Sequence, residues 1–167
     1  DVMRRLALSL ALCAAPVWGA GAEEFVTLKG HGGPIMALAV DDEDRVASAS
    51  FDNTAAIWQR GSPTWLEAHD AATTAVTFGP RGALFSGGDD FAIYRWQQGQ
   101  PQEIGLHAGK IRALDVSSDG AFLASASWDG TIGLWSLNGG VGQQITVGAG
   151  VNDVRFDAKG RLFAATM

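Results

Sequence analysis

Residues 123–135 read Leu-Ala-Ser-Ala-Ser-Trp-Asp-Gly-Thr-Ile-Gly-Leu-Trp, and this stretch decides the fold. The run of small residues at 123–127 predicts a short strand. Asp129-Gly130 is typical of a tight turn that reverses the chain, and a further strand then runs from Thr131 to Trp135. The stretch therefore predicts two antiparallel strands joined by a tight turn.

The end of this hairpin recurs along the chain at a fixed period. Three tryptophans are 38 and 39 residues apart, three histidines are 38 and 38 residues apart, and an aspartate stands six residues before each tryptophan. The order within each unit is constant: His31, Asp52, Trp58; His69, Asp90, Trp96; His107, Asp129, Trp135. A fixed order at a period near 40 residues is typical of a repeat architecture.

Each unit carries two more strand patterns. Four residues after each histidine begins a run with period-two alternation, at 35–40, 73–78 and 111–116, and such alternation predicts a strand. A fourth strand is predicted around the apolar residue three positions before the next histidine, which is Leu66 or Ile104. Four antiparallel strands in about 40 residues form one blade of a β-propeller.

The predicted fold is an all-β propeller of four-stranded antiparallel blades, of which the chain holds about three and a half. The blades lie near 31–66, 69–104 and 107–145, and a truncated unit spans 148–167. In that unit Gly148 takes the histidine position, and the aspartate turn and tryptophan strand are missing. Because propellers close with 4–8 blades, the sequence predicts a piece of a longer protein.

Gly30-His31 and residues 123–135 closely resemble the WD-repeat (WD40) signature, and the resemblance covers residues 25–167. It is weaker in the second unit, where Gly88 and Asp89 replace the second serine and the aromatic residue. The resemblance implies a tetrad in each blade whose four polar groups satisfy one another by hydrogen bonds. The implied tetrads are His31, Ser48, Asp52 and Trp58; His69, Ser86, Asp90 and Trp96; and His107, Ser125, Asp129 and Trp135.

The repeated histidines, serines and aspartates also suggest a metal site or a hydrolase triad. A catalytic or metal-binding set is needed once, whereas these residues recur in three units. The acidic run 41–44 offers oxygen ligands for a hard cation but lacks the glycine and spacing of a calcium loop, which favours a solvated turn. The glycine pairs 87–88 and 139–140 precede no helix that would bind phosphate. The sequence therefore predicts no catalytic residue, no metal site and no enzyme in this segment.

A candidate partner-binding face lies at the turns before the tetrad aspartates. The residues predicted at the tips of these turns, all on one face of the propeller, are Phe51, Asp89 and Trp128. Aromatic anchors among polar residues are typical of protein-interaction hot spots. Alternatively, the two aromatic side chains pack against a neighbouring blade and have only a structural role. The sequence therefore predicts that other proteins bind at this face.

The first 22 residues are predicted to be a secretory signal peptide. Two arginines precede a 12-residue apolar stretch, 6–17, and small residues stand before Glu23. The stretch is shorter than the ~20 residues of a membrane-spanning helix, so no membrane span is predicted. Cleavage before Glu23 removes Cys13, the only cysteine, and leaves residues 23–167 as a periplasmic or secreted domain.

Composition excludes two classes of protein. The chain has 47% apolar and 18% charged residues, which is not the composition of a disordered chain. Its 12 basic and 18 acidic residues give a net charge of −6, and no basic patch is present. Since nucleic-acid binding needs clustered cations, nucleic acid is not a predicted partner.

Two functions of different class remain open. The first is a periplasmic or secreted scaffold for protein–protein interaction. The second is the propeller part of a larger redox protein, because the chain resembles bacterial exported propellers that can be joined to a c-type cytochrome segment. No cofactor is predicted in this segment, and haem c would belong only to a region beyond Met167. A Cys-x-x-Cys-His sequence there would distinguish the two.

Overall fold

A computed structural model describes residues 27–167, in which fourteen β-strands and one short 3₁₀ helix are found. The predicted signal peptide, residues 1–22, lies outside the described residues. The strands form three four-stranded antiparallel sheets, called sheets 1, 2 and 3, and a two-stranded sheet 4. The predicted fold class, an all-β incomplete propeller of four-stranded blades, is confirmed.

Consecutive strands pair within every sheet. Sheet 1 contains β1 (Ile35–Val40), β2 (Val46–Ser50), β3 (Thr54–Gln59) and β4 (Ser62–Glu67). Sheet 2 contains β5 (Thr73–Phe78), the 3₁₀ helix (Pro80–Gly82), β6 (Leu84–Gly88), β7 (Ala92–Gln97) and β8 (Gln100–Leu106). Sheet 3 contains β9 (Ile111–Val116), β10 (Phe122–Ser127), β11 (Thr131–Ser136) and β12 (Gln143–Thr146). Sheet 4 contains β13 (Val151–Phe156) and β14 (Leu162–Thr166).

The hydrophobic core lies between the sheets rather than inside any one of them. The first strands, β1, β5, β9 and β13, lie next to one another in that order. Leu66 of sheet 1 packs in a cluster with Leu84 and Trp96 of sheet 2. Phe85 of sheet 2 packs in a second cluster with Leu123 and other residues of sheet 3. Each sheet therefore depends on its neighbour for a buried apolar face.

Sheet 1 has one apolar face that no sheet of the described residues covers. Leu38 in β1 is 66% exposed, whereas the residues at the same position of the next three first strands are buried. Those residues are Val76, Leu114 and Val154. The difference shows that burial at this position comes from the preceding sheet.

A β-bulge recurs at the start of every first strand. In sheet 1 the pairing register between β1 and β2 shifts between Ile35 and Ala37. Beside this bulge the Phe51 N–H donates to the Pro34 carbonyl oxygen at 2.9 Å. The same bond recurs from Asp89 to Ala72, from Trp128 to Lys110 and from Met167 to Gly150. Bulge and hydrogen bond together hold the residue after each second strand at the same end of its sheet.

The tight turn between the second and third strands needs a residue in the left-handed region. Asn53 has φ 72° and Gly130 has φ 84°, and both residue types adopt this region readily. The corresponding residue of sheet 2 is Phe91, with φ 73°, where a bulky side chain costs about 1 kcal/mol. Sheet 2 therefore stores backbone strain at a turn that the other two sheets form without it.

Candidate functional site

The polar core of sheet 3 is a continuous chain of hydrogen bonds. The Trp135 indole Nε1–H donates to Ser125 Oγ at 2.9 Å, and Ser125 Oγ lies 2.7 Å from His107 Nε2. The other ring nitrogen, His107 Nδ1, lies 3.0 Å from Asp129 Oδ2. The first three of these residues are buried, so each polar group needs its partner inside the protein.

Burial fixes how protons are arranged in this chain. Desolvation lowers the pKa of His107 more than the neighbouring Asp129 carboxylate raises it, so the imidazole is neutral at neutral pH. A neutral ring that donates from Nδ1 to Asp129 has Nε2 left to accept the Ser125 hydroxyl hydrogen. The serine oxygen in turn accepts the Trp135 N–H. Every group is thereby satisfied, and none is left as a free nucleophile or base.

Sheets 1 and 2 contain the same chain of hydrogen bonds. In sheet 1 the tryptophan–serine, serine–histidine and histidine–aspartate distances are 2.7, 2.7 and 3.0 Å. In sheet 2 they are 2.7, 2.8 and 2.9 Å. The structure therefore brings together all twelve residues of the implied tetrads, four in each sheet.

Two threonines that sequence reasoning missed also form hydrogen bonds to the tetrads of sheets 1 and 3. Thr131 Oγ1 lies 2.7 Å from Asp129 Oδ1 and 3.0 Å from His107 Nδ1, and Thr54 Oγ1 makes the equivalent contacts in sheet 1 at 2.7 and 3.1 Å. The signal was available in the sequence, since a threonine follows two residues after each of these aspartates. Ala92 takes this place in sheet 2, so its tetrad lacks the hydroxyl.

A second serine outside the implied tetrads also supports the aspartate turn. Ser127 Oγ accepts the Asp129 N–H at 3.1 Å and donates to the Gly109 carbonyl oxygen, and Ser50 does the same beside Asp52. Gly88 stands at this position in sheet 2 and has no hydroxyl. The aspartate turn of sheet 2 is therefore held by fewer hydrogen bonds than those of sheets 1 and 3.

The tetrad carboxylates are ionised at all ordinary pH values. Burial acts to raise the pKa of Asp129, but hydrogen bonds from the Thr131 hydroxyl and from the Ala108 and Thr131 N–H groups outweigh it and lower the pKa to about 2. The pKa of Asp52 is lowered in the same way against its burial, chiefly by Thr54. The fold therefore stabilises these carboxylates in the charged form. A general acid, in contrast, must be protonated before it acts.

Stability is expected to fall as the solution is acidified, in two pH ranges. The folded pKa of His107 lies below its usual 6.5, so the unfolded chain takes up a proton first and stability declines below pH 6.5. The folded pKa of Asp129 is about 2 against 3.8, so its contribution is complete above 3.8 and disappears as pH falls through 2. Urea midpoints measured from pH 7 to pH 2 test this. A midpoint that rose on acidification would contradict the assignment.

The three residues of the predicted partner-binding face lie at the same end of their sheets but differ in their contacts. Phe51 is 57% exposed and Trp128 is 44% exposed. The Trp128 indole N–H donates to Asn152 Oδ1 of sheet 4 at 2.8 Å, so this ring is exposed and also bridges two sheets. Asp89 is not a free rim charge, because its Oδ2 lies 2.5 Å from Lys110 Nζ of sheet 3. The face therefore presents two aromatic rings on either side of an ion pair.

The acidic run 41–44 has an internal partner. Asp41 accepts hydrogen bonds from the Arg45 backbone N–H at 2.9 Å and from Arg45 Nε at 2.6 Å. The Arg45 guanidinium also lies over the Phe78 ring of sheet 2, 5.1 Å from its centroid. Asp41 thus anchors a cation that reaches the neighbouring sheet. No group of three or more metal-ligating side chains occurs within residues 27–167.

Stacked four-stranded sheets, each with a buried tryptophan–serine–histidine–aspartate chain, define a β-propeller repeat protein. The sequence profile of the "WD domain, G-beta repeat" matches residues 23–59, 62–97 and 100–136, and the chain belongs to this WD40 family. Proteins of the family generally act as scaffolds for protein–protein interaction. Within residues 27–167 no helix has the length and hydropathy of a membrane span.

Several curated proteins are similar to this chain over part of their length. Pre-mRNA-processing factor 19 homolog 2 of Arabidopsis thaliana is 28% identical over an alignment of 144 residues, and the match covers 80% of this chain and 27% of that protein. WD repeat-containing protein 18 of Bos taurus is 33% identical over an alignment of 126 residues, and the match covers 65% of this chain and 27% of that protein. Small ribosomal subunit protein RACK1 of Candida albicans is 32% identical over an alignment of 86 residues. The match covers 45% of this chain and 27% of that protein.

The chain spans about a quarter of the length of these relatives. All three come from eukaryotes. The bacterial exported type and the link to a c-type cytochrome, both inferred from resemblance, therefore stay predictions.

Proposed function

We propose that this chain is part of a periplasmic or secreted WD40 scaffold that binds a protein partner through the turn tips of Phe51, Asp89 and Trp128. The observation that carries the proposal is the exposure of two large aromatic rings at one repeated backbone position. Burying such rings on association releases the free energy that makes aromatic residues frequent hot spots.

The polar contacts around the rings support this choice of surface. Between Phe51 and Trp128 in chain order lies the Asp89–Lys110 pair, which is neutral as a unit and links sheets 2 and 3. The tetrads offer no competing reactive site, because their side chains bond to one another in all three sheets. A binding role fits these observations better than a catalytic one.

Replacing Phe51 and Trp128 together with alanine is expected to abolish partner capture. Each buried aromatic anchor contributes about 2 kcal/mol or more, so the double variant binds ~1,000-fold more weakly if the two effects add. The matched control is Phe122→Ala with Phe163→Ala, which removes two exposed rings, of which Phe122 begins β10 at the end opposite Trp128. Capture from an extract of the source organism, followed by affinity measurement on the captured protein, tests the difference.

Circular dichroism must first show that both double variants are folded. If the folded Phe51→Ala/Trp128→Ala protein binds the same partner with the affinity of the wild type, this surface is not the binding site. If both double variants lose binding equally, exposed rings act without regard to position, and the proposed face is also wrong.

Export is the second part of the proposal, and it rests on residues 1–22. We expect removal of this segment and a mature N terminus at Glu23. The mature chain then has 10 basic and 17 acidic residues, a net charge of −7, and no cysteine. Intact-mass measurement on protein from the periplasm or culture medium tests this, and a species that still contains Cys13 would contradict it.

A further inference from the structure

The guanidinium of Arg112, in β9, lies over the exposed ring of Trp128. The guanidinium carbon lies 4.8 Å from the ring centroid, within the range of a cation–π interaction. In this position the guanidinium keeps N–H groups that are free to donate to a ligand. Arg112 is half-buried, so the planar cation is held in place rather than free in solvent.

The ring under Arg112 is itself fixed. The Trp128 indole N–H donates to Asn152 Oδ1 at 2.8 Å, and the Trp128 backbone N–H donates to the Lys110 carbonyl oxygen at 2.9 Å. Side chain and backbone are therefore tied to sheets 4 and 3 respectively. Because the platform is ordered before any ligand arrives, a ligand of Arg112 loses less conformational entropy in ordering the site.

Arg112 differs from neighbouring cations in having no acidic partner. Within residues 27–167 its guanidinium makes no ion pair and donates no hydrogen bond, although Lys110, two residues earlier, pairs with Asp89. Arg155 and Arg161 pair with Asp153 and Asp157. A guanidinium without an acidic partner, beside the turn tip of Trp128, is therefore available to an anion.

We propose that Arg112, seated on Trp128, binds a carboxylate of the partner protein. This inference rests on the proposed function and names the chemistry that the face recognises. The planar N–H edge of a guanidinium matches the two oxygens of a carboxylate in a bidentate pair. A single uncompensated cation suits a monoanion, since Lys110 is already neutralised and supplies no second charge for a phosphate dianion. The carboxylate belongs to an aspartate or glutamate side chain or to a chain terminus.

Random dodecapeptides serve as the probe. One displayed library has its C termini fused to the carrier and a second has free C termini, so the two distinguish a side-chain from a terminal carboxylate. We expect peptides recovered on the wild-type chain to be enriched in aspartate and glutamate, or to come only from the second library. The enrichment persists on Arg81→Gln, which removes an exposed arginine from the turn at the opposite end of sheet 2, and disappears on Arg112→Gln.

A recovered acidic peptide then allows a double-mutant cycle. Arg112→Gln is expected to weaken its binding at least ~10-fold, and replacement of the peptide carboxylate by an amide weakens wild-type binding by the same factor. The two changes combined cost no more than either alone. Arg112→Lys keeps the charge without the planar edge and binds more weakly than wild type, which separates bidentate recognition from simple attraction.

Several results would overturn the inference. These are the absence of recovered peptides from both libraries, recovery without acidic enrichment, or additive effects in the cycle. If non-acidic peptides bind and Phe51→Ala/Trp128→Ala removes their binding, the partner face stands and only the carboxylate is wrong. If binding survives that double variant as well as Arg112→Gln, the face itself is wrong.

Discussion

Replacing Asp129 with alanine lowers the free energy of unfolding by about 3 kcal/mol, because it leaves the buried His107 without its acceptor and removes three further hydrogen bonds. The Asp129 carboxylate accepts hydrogen bonds from His107 Nδ1 at 3.0 Å, from the Ala108 N–H at 2.8 Å, and from the Thr131 N–H and hydroxyl at 2.8 and 2.7 Å. Loss of the first also leaves the His107–Ser125–Trp135 chain without its terminal acceptor. Urea denaturation followed by circular dichroism measures the change.

The matched control for this variant is Asp42→Ala, which removes an exposed carboxylate from a turn. Its effect is expected within about 0.5 kcal/mol of zero. Asp129→Asn keeps one carbonyl oxygen as an acceptor. Its loss of unfolding free energy is expected to lie between those of the control and the alanine variant. If Asp129→Ala unfolds at the wild-type urea concentration but has lost an activity, the tetrad is functional rather than structural and our interpretation is wrong.

Replacing Phe85 with alanine is expected to cost about 4 kcal/mol, the largest effect of any single change considered for this chain. Phe85 is fully buried between sheets 2 and 3, where it packs in one cluster with Ile93, Ile111 and Leu123. The cavity cannot collapse readily, because two sheets fix its walls. Thermal and urea unfolding of the variant measure the loss.

Phe122→Ala provides the comparison for Phe85→Ala, because it removes the same ring from an exposed site on β10. We expect it to cost less than about 1 kcal/mol. Equal losses for the two variants would show that the sheets do not share the core described above. A loss confined to Phe85→Ala would show that the buried core shared by sheets 2 and 3 stabilises the protein.

Much of the fold could be predicted because the repeat supplies three readings of one pattern. The first strands were predicted to the residue at 35–40, 73–78 and 111–116, since period-two alternation there meets turn residues on both sides. The grouping of tetrad residues came from the family resemblance rather than from the spacing alone. The hydrogen bonds now described explain that grouping in physical terms.

Other features could not be predicted, because they depend on contacts between sheets. Asp89 looks like an isolated acidic tip in the sequence, and only the stacking of sheets 2 and 3 brings Lys110 to it. Arg112 lies on an alternating strand, and nothing in that pattern indicates that its guanidinium covers Trp128. Pairings of this kind are set by neighbouring repeats, which differ from one another at these positions while the backbone pattern stays the same.

The bulge that opens every first strand has an evolutionary consequence. It positions the turn tip through a backbone N–H and a backbone carbonyl, so phenylalanine, aspartate, tryptophan and methionine all occupy equivalent places without altering the bond. Selection on folding therefore leaves the identity of that side chain largely unconstrained. Substitutions at a tip leave this backbone bond intact, so their cost in stability is limited to the contacts of the side chain itself, such as Trp128 with Asn152 and Asp89 with Lys110.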